Sequence, residues 1–131
     1  MCVFCNLSSP LQKGVTLNVV IHIQIILSVV ADKENPKGDR LLVRSRIAGY
    51  IEEVFPSVDV METPYADYRF RAWLPRSDLT QALSLYVEDL DYTNFKNSVG
   101  DKDRIRPLMQ VCSTMHENQE AQLKVHYRKF I

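Results

Sequence analysis

From Leu17 to Val29 every odd position is apolar: Leu17, Val19, Ile21, Ile23, Ile25, Leu27 and Val29. The even positions mix Val20, Ile26 and Val30 with Asn18, His22, Gln24 and Ser28. A period of two puts one set on each face of a pleated strand, where Val and Ile pack well but in a helix lose rotamer freedom. Residues 17–30 are therefore expected to form one long strand with a dry face and a mixed face. The same pattern argues against a membrane span over residues 15–31, because polar residues interrupt a run shorter than about 20 apolar residues. The run also starts too late, and without a basic n-region, for a standard signal peptide. No membrane association is expected.

A dry strand face needs covering, and the rest of the chain supplies the elements. Asp32 to Asp39 is a polar turn with Pro36 and Gly38, expected to be exposed and mobile, after which residues 40–46 return as a second strand beside the first. Ile47, Tyr50, Ile51, Val54 and Phe55 then recur at helical spacing, with Ser45 as a cap and Pro56 as the stop. Residues 58–63 and 68–74 form two more strands around Pro64 to Asp67. Alternation sets Tyr68, Phe70, Ala72 and Leu74 on one face, with Arg69, Arg71 and Trp73 on the other.

Beyond Pro75, Ser77 offers an N-cap to a second helix striped by Leu79, Ala82, Leu83, Tyr86, Val87 and Leu90. Ile105, Leu108, Cys112 and Met115 mark a third, with Pro107 in its first turn. The tail, residues 119–131, suits an edge strand as well as a prolonged helix.

The fold class expected is α+β: a four-stranded, mainly antiparallel sheet with two or three helices on one face, in ββαββαα order and a ferredoxin-like layout. A chain of 131 residues, 46% apolar and 24% charged, fits one globular domain. We place that domain at residues 15–118, after a loose leader 1–14 and before the tail.

Three stretches are distinctive together: Leu42 to Arg46, Glu62 to Ala72, and Asp91 to Lys96. Over roughly residues 40–115 the chain resembles a family of small uncharacterised bacterial and phage proteins. The resemblance implies a compact α+β domain and brings no activity with it. Family members tend to carry Gly where this chain has Tyr65, and they begin near the first strand.

The sixteen basic and sixteen acidic residues cancel, so no overall field draws the chain to nucleic acid or to an anionic membrane. Its four glycines are scattered singly, which excludes a Gly-rich phosphate loop, and no serine sits in a nucleophile elbow. His22, His116 and His126 lack the context of a catalytic base, so no catalytic residue is assigned. The enzymatic alternative is a small hydrolase or transferase site around Asp91, Asn94, Lys96 and His116, based on functional-group density alone.

Three cysteines, an odd number, argue against a disulfide framework and for a reducing compartment, the cytoplasm. Cys2 and Cys5 have ligand spacing, and with Cys112 and His116 a Cys3His zinc site can be drawn. Cys112 also falls on the apolar stripe, where a free cysteine usually packs, so no metal and no cofactor are expected.

The constellation with most chemical content is basic and aromatic: Arg44 and Arg46 on one strand, Arg69, Arg71 and Trp73 on another. Guanidiniums beside an indole suit phosphates and a stacked base, which would make the sheet a nucleic-acid platform. The same residue types dominate protein hot spots, so a protein partner or self-association as a dimer suits them equally. The bland alternative is a solvated face neutralised by Asp59, Glu62 and Asp67. A second candidate is the segment carrying Tyr92, Asn94 and Lys96, placed like a binding loop but equally able to cap the helices. The function expected is a non-enzymatic binding or accessory domain.

Overall fold

The computed structural model describes residues 2–6, 16–21 and 25–128, and side chains over residues 25–94 and 97–125. His22, the rest of the leader and the side chains of Cys2, Cys5, Lys96 and His126 lie outside the described residues. Six strands form one sheet: β1 (Cys2–Asn6), β2 (Thr16–Ile21), β3 (Ile25–Ala31), β4 (Arg40–Ser45), β5 (Met61–Glu62) and β6 (Phe70–Pro75). Four helices are described: α1 (Tyr50–Val54), α2 (Arg76–Glu88), α3 (Phe95–Ser98) and α4 (Lys102–Arg128). The strand order is β1-β2-β3-β4-β6-β5, with every neighbouring pair antiparallel. The fold is α+β, and the four expected strands are the block β3-β4-β6-β5. This order does not establish a ferredoxin-like layout. The chain falls into two compact units, residues 1–91 and 92–131, where the sequence suggested one domain ending at residue 118.

The long first strand is a hairpin. β2 pairs with β3 from Leu17 opposite Val29 to Ile21 opposite Ile25, and β3 pairs onward with β4. Odd positions pair with odd positions, so the alternation stays in phase through the reversal and a period of two cannot reveal it. The leader also contributes to the sheet, since Cys2 to Asn6 run opposite Val20 to Thr16 as β1.

One face of the sheet holds the core of the first unit. Ile25, Leu27 and Val29 of β3, Leu41 and Val43 of β4, and Ala72 and Leu74 of β6 are buried with Ile51 and Phe55 of the α1 region and Leu79 of α2. Tyr50, Val54, Ala82, Leu83 and Tyr86 pack at the margin, so α1 and α2 cover the same face. Each buried aliphatic side chain contributes roughly 1.5–3 kcal/mol, which makes the parity of these strands hard to reverse.

Local signals differ from expectation at several points. α1 starts at Tyr50 behind Gly49, whose φ of 83° favours glycine, while Ser45 ends β4 with its hydroxyl bonded to the amide and carbonyl of Ile47. α2 begins one residue before Ser77: Pro75, in extended conformation, is the N-cap, and the Ser77 hydroxyl lies 3.4 Å from Asp78. Pro supplies no capping oxygen, but it feeds the chain directly from β6 into the helix. β5 keeps only two residues of the expected strand 58–63, because Val58 and Val60 turn to the core margin and leave the ladder.

The turn Asp32 to Asp39 is pinned rather than loose. The Asp32 carboxylate accepts from the Glu34 amide and from Arg40 Nε at 2.7 Å, and Arg76 Nε donates to the Gly38 carbonyl at 2.7 Å. In the second unit the described part of the tail, residues 119–128, prolongs a helix. α4 runs to Arg128 and begins before Ile105, since Asp101 Oδ1 accepts from the amide of Asp103 at 2.9 Å. Pro107 therefore lies in the second turn, where its missing N–H leaves the Asp103 carbonyl without its usual helical bond.

Candidate functional site

The β4–β6 register decides what the outer face of the sheet presents. Leu42 lies opposite Trp73, and Arg44 lies opposite Arg71. Residues directly opposite in an antiparallel pair share a face, so Arg44, Arg71 and Trp73 stand together on the side away from the core. Arg40 and Leu42 join them by alternation along β4, and Ser28 lies across from Arg44 on β3. Ile26, Val30 and Leu42 are half-buried, as are Arg44, Arg71 and Trp73.

Two rings organise the cations. The Arg40 guanidinium lies 4.1 Å from the Trp73 ring centroid, and those of Arg44 and Arg46 lie 4.5 Å and 4.1 Å from that of Tyr68. Alternation counted back from Phe70 would place Tyr68 on the core side. β6 starts only at Phe70, and the preceding backbone turns the ring to the arginines instead. Such contacts contribute about 0.5–1 kcal/mol each at exposed sites and hold the guanidiniums in fixed planes.

The cations divide into neutralised and bare. Arg40 pairs with the buried Asp32 at 2.7 Å, Arg46 with Asp67 at 3.0 Å, and Arg69 with Glu62 at 2.6 Å. The hydrogen bond to Asp67 raises the Arg46 pKa, and the one from Arg40 holds the Asp32 carboxyl below the usual carboxylate range. Arg69 lies before β6, exposed and drawn off by Glu62, so it stays apart from the cluster.

Arg44 and Arg71 have no carboxylate within ion-pair distance among the described residues. Arg44 donates a terminal N–H to Ser28 Oγ at 2.8 Å, while its Nε is buried with no acceptor. Arg71 Nε donates to the Tyr68 carbonyl at 3.0 Å. Burial lowers the Arg44 pKa, and the neighbouring Arg71 charge acts in the same direction, which leaves the group charged but poorly solvated. The pair is a local excess of positive charge with unused donors.

Arg40 and Tyr68 were not singled out from the sequence. Arg40 could have been found, because it shares parity with Arg44 along β4; Tyr68 could not, because its placement depends on where β6 begins.

The second candidate, Tyr92, Asn94 and the backbone of Lys96 in α3, lies in the second unit. The residues of the enzymatic alternative divide, since Asp91 closes the first unit and the exposed His116 on α4 belongs to the second. Cys112 is half-buried and free, and no group of three or more metal-ligating side chains occurs among the described residues. No helix among them is long and apolar enough to cross a membrane.

Two grooves flank β6. One, of about 390 Å³, lies between the Asp32 to Arg40 turn and the Trp73 to Pro75 end of the strand. The other, of about 580 Å³, lies between residues 54–59, the same end of β6 and α2. No family model, curated protein or solved structure matches this chain.

Proposed function

We propose that this chain is a non-enzymatic, cytoplasmic binding module that takes the acidic surface of a protein partner on the outer face of β3, β4 and β6. The observation that carries this reading is the Arg44–Arg71 pair: two arginines at directly opposite register positions, neither in an ion pair among the described residues. Like charges directly opposite in a sheet are destabilising, and an incoming anion removes that penalty. Ile26, Val30, Leu42 and Trp73 supply apolar area around the pair, the mixture typical of an anchor in a protein interface.

Nucleic acid suits the face less well. Arg40, Arg46 and Arg69 are already paired with acids, and Trp73 and Tyr68 already have guanidiniums over their rings. A backbone of phosphates would find two bare cations and occupied stacking surfaces.

The test compares a glutamate-rich peptide with a single-stranded oligonucleotide, each titrated at two salt concentrations against wild type and Arg44→Gln/Arg71→Gln. Peptide binding that the double variant loses is the expected result. Tighter oligonucleotide binding, with a log–log salt slope well beyond the roughly two units that two phosphate contacts allow, would overturn it.

A further inference from the structure

β6 has an unfinished outer edge. Two backbone hydrogen bonds fix which way its peptide groups point. The Thr63 amide donates to the Arg69 carbonyl at 2.7 Å, so odd residues face β5; the Arg76 amide donates to the Asp39 carbonyl at 2.7 Å, so even residues face β4. β5 ends at Met61, opposite Arg71. The next odd residue, Trp73, therefore directs its N–H and C=O outward with no strand beside them among the described residues. Pro75, the odd residue after that, has no N–H to leave unpaired, which is why a proline is tolerated at this strand position.

The chain that would have continued β5 diverges instead, carrying Val58 and Val60 to the core margin. The opening is the groove of about 580 Å³, lined by Val58, Trp73, Ala82 and Leu85 and by two carboxylates, Asp59 and Asp78. Neither carboxylate is in an ion pair among the described residues.

We infer that this edge accepts an extended basic peptide from another protein as an added antiparallel strand. One peptide residue would take the place opposite Trp73 that β5 leaves empty, exchanging both main-chain hydrogen bonds with it. Alternate side chains of the guest would meet the apolar wall of Ala82 and Leu85, and lysine or arginine beside them would meet Asp59 and Asp78. Main-chain pairing supplies affinity, and the two carboxylates select for positive charge. This site uses the edge of β6 and not its outer face, so it does not depend on the function proposed above.

The probe is a fluorescent peptide alternating valine and lysine, titrated against the full chain. Controls are the same peptide with glutamate for lysine and one with the central amide N-methylated. The lysine peptide should bind and slow hydrogen exchange at the Trp73 amide. Asp59→Lys/Asp78→Lys should weaken it by about tenfold or more, and N-methylation should abolish it. Both aspartates are exposed, so the double variant should keep the wild-type circular dichroism. Arg44→Gln/Arg71→Gln should bind the peptide like wild type, separating this site from the arginine face. Equal binding of the glutamate or N-methylated peptide, or unchanged exchange at Trp73, would overturn the inference.

Discussion

Arg44 shows how a residue can cost a fold stability and still be kept in place. Its Nε is buried without an acceptor and its charge stands opposite Arg71. Arg44→Met with Ser28→Ala keeps the length of the side chain, removes both penalties and leaves no buried hydroxyl without the bond that Arg44 supplies. It should raise stability to urea by about 0.2–1 kcal/mol, the range for cross-strand pairs, while abolishing acidic-peptide binding. Asp32 works the other way. Its carboxyl is held below the usual range chiefly by Arg40, so its folded pKa lies under the unfolded value of about 3.9. The stability it adds is present above that value and is lost as pH falls through the folded pKa. Asp32→Asn should therefore be less stable than wild type at neutral pH, with the gap closing below about pH 4 in urea titrations. At this scale the sequence revealed residue types and parity, which group Arg44, Arg71 and Trp73. It did not reveal which acid each arginine would find, because Asp32, Asp67 and Glu62 reach their partners through turns.

Elements were legible where periodicity is strong and less so where it ends. The core parity of β4 and β6 follows from alternation, and Leu79, Ala82, Leu83 and Tyr86 of α2 follow from helical spacing, whereas Val87 is exposed and Leu90, also exposed, lies beyond the end of the helix. The β2–β3 reversal was invisible because odd pairs with odd, so residues on both sides of the turn continue one pattern. Boundaries failed for a similar reason: a serine near a helix start is a plausible cap, yet Ser45 and Ser77 make other local bonds. Asp101 was overlooked although its chemistry is that of a cap, accepting from the Asp103 amide at 2.9 Å. Asp101→Ala should cost α4 about 1 kcal/mol and fray its first turn, lowering helical circular dichroism before the sheet unfolds in urea.

At the scale of the whole molecule, Arg76 ties the start of α2 to a distant turn. Its amide meets the Asp39 carbonyl and its side chain meets the carbonyls of Gly38 at 2.7 Å and Pro36 at 3.1 Å. Gly38 permits the tight fold-back, since a Cβ there would come 3.0 Å from the Asn35 carbonyl oxygen and 2.6 Å from its side chain. The start of α2 thus clamps a turn nearly forty residues earlier in the chain. A protease needs several residues of chain to peel free, which this clamp forbids despite the polar surface of the turn. The tip at Pro64 to Asp67, where Tyr65 is fully exposed, has far fewer ties. Limited trypsin or chymotrypsin digestion should therefore cut around Tyr65 to Arg69 first and spare Lys33 and Lys37, while Arg76→Ala should open the earlier turn to cleavage. The same asymmetry marks residues 64–67 as the place where this fold would accept an inserted tag, and residues 35–38 as a place where it would not.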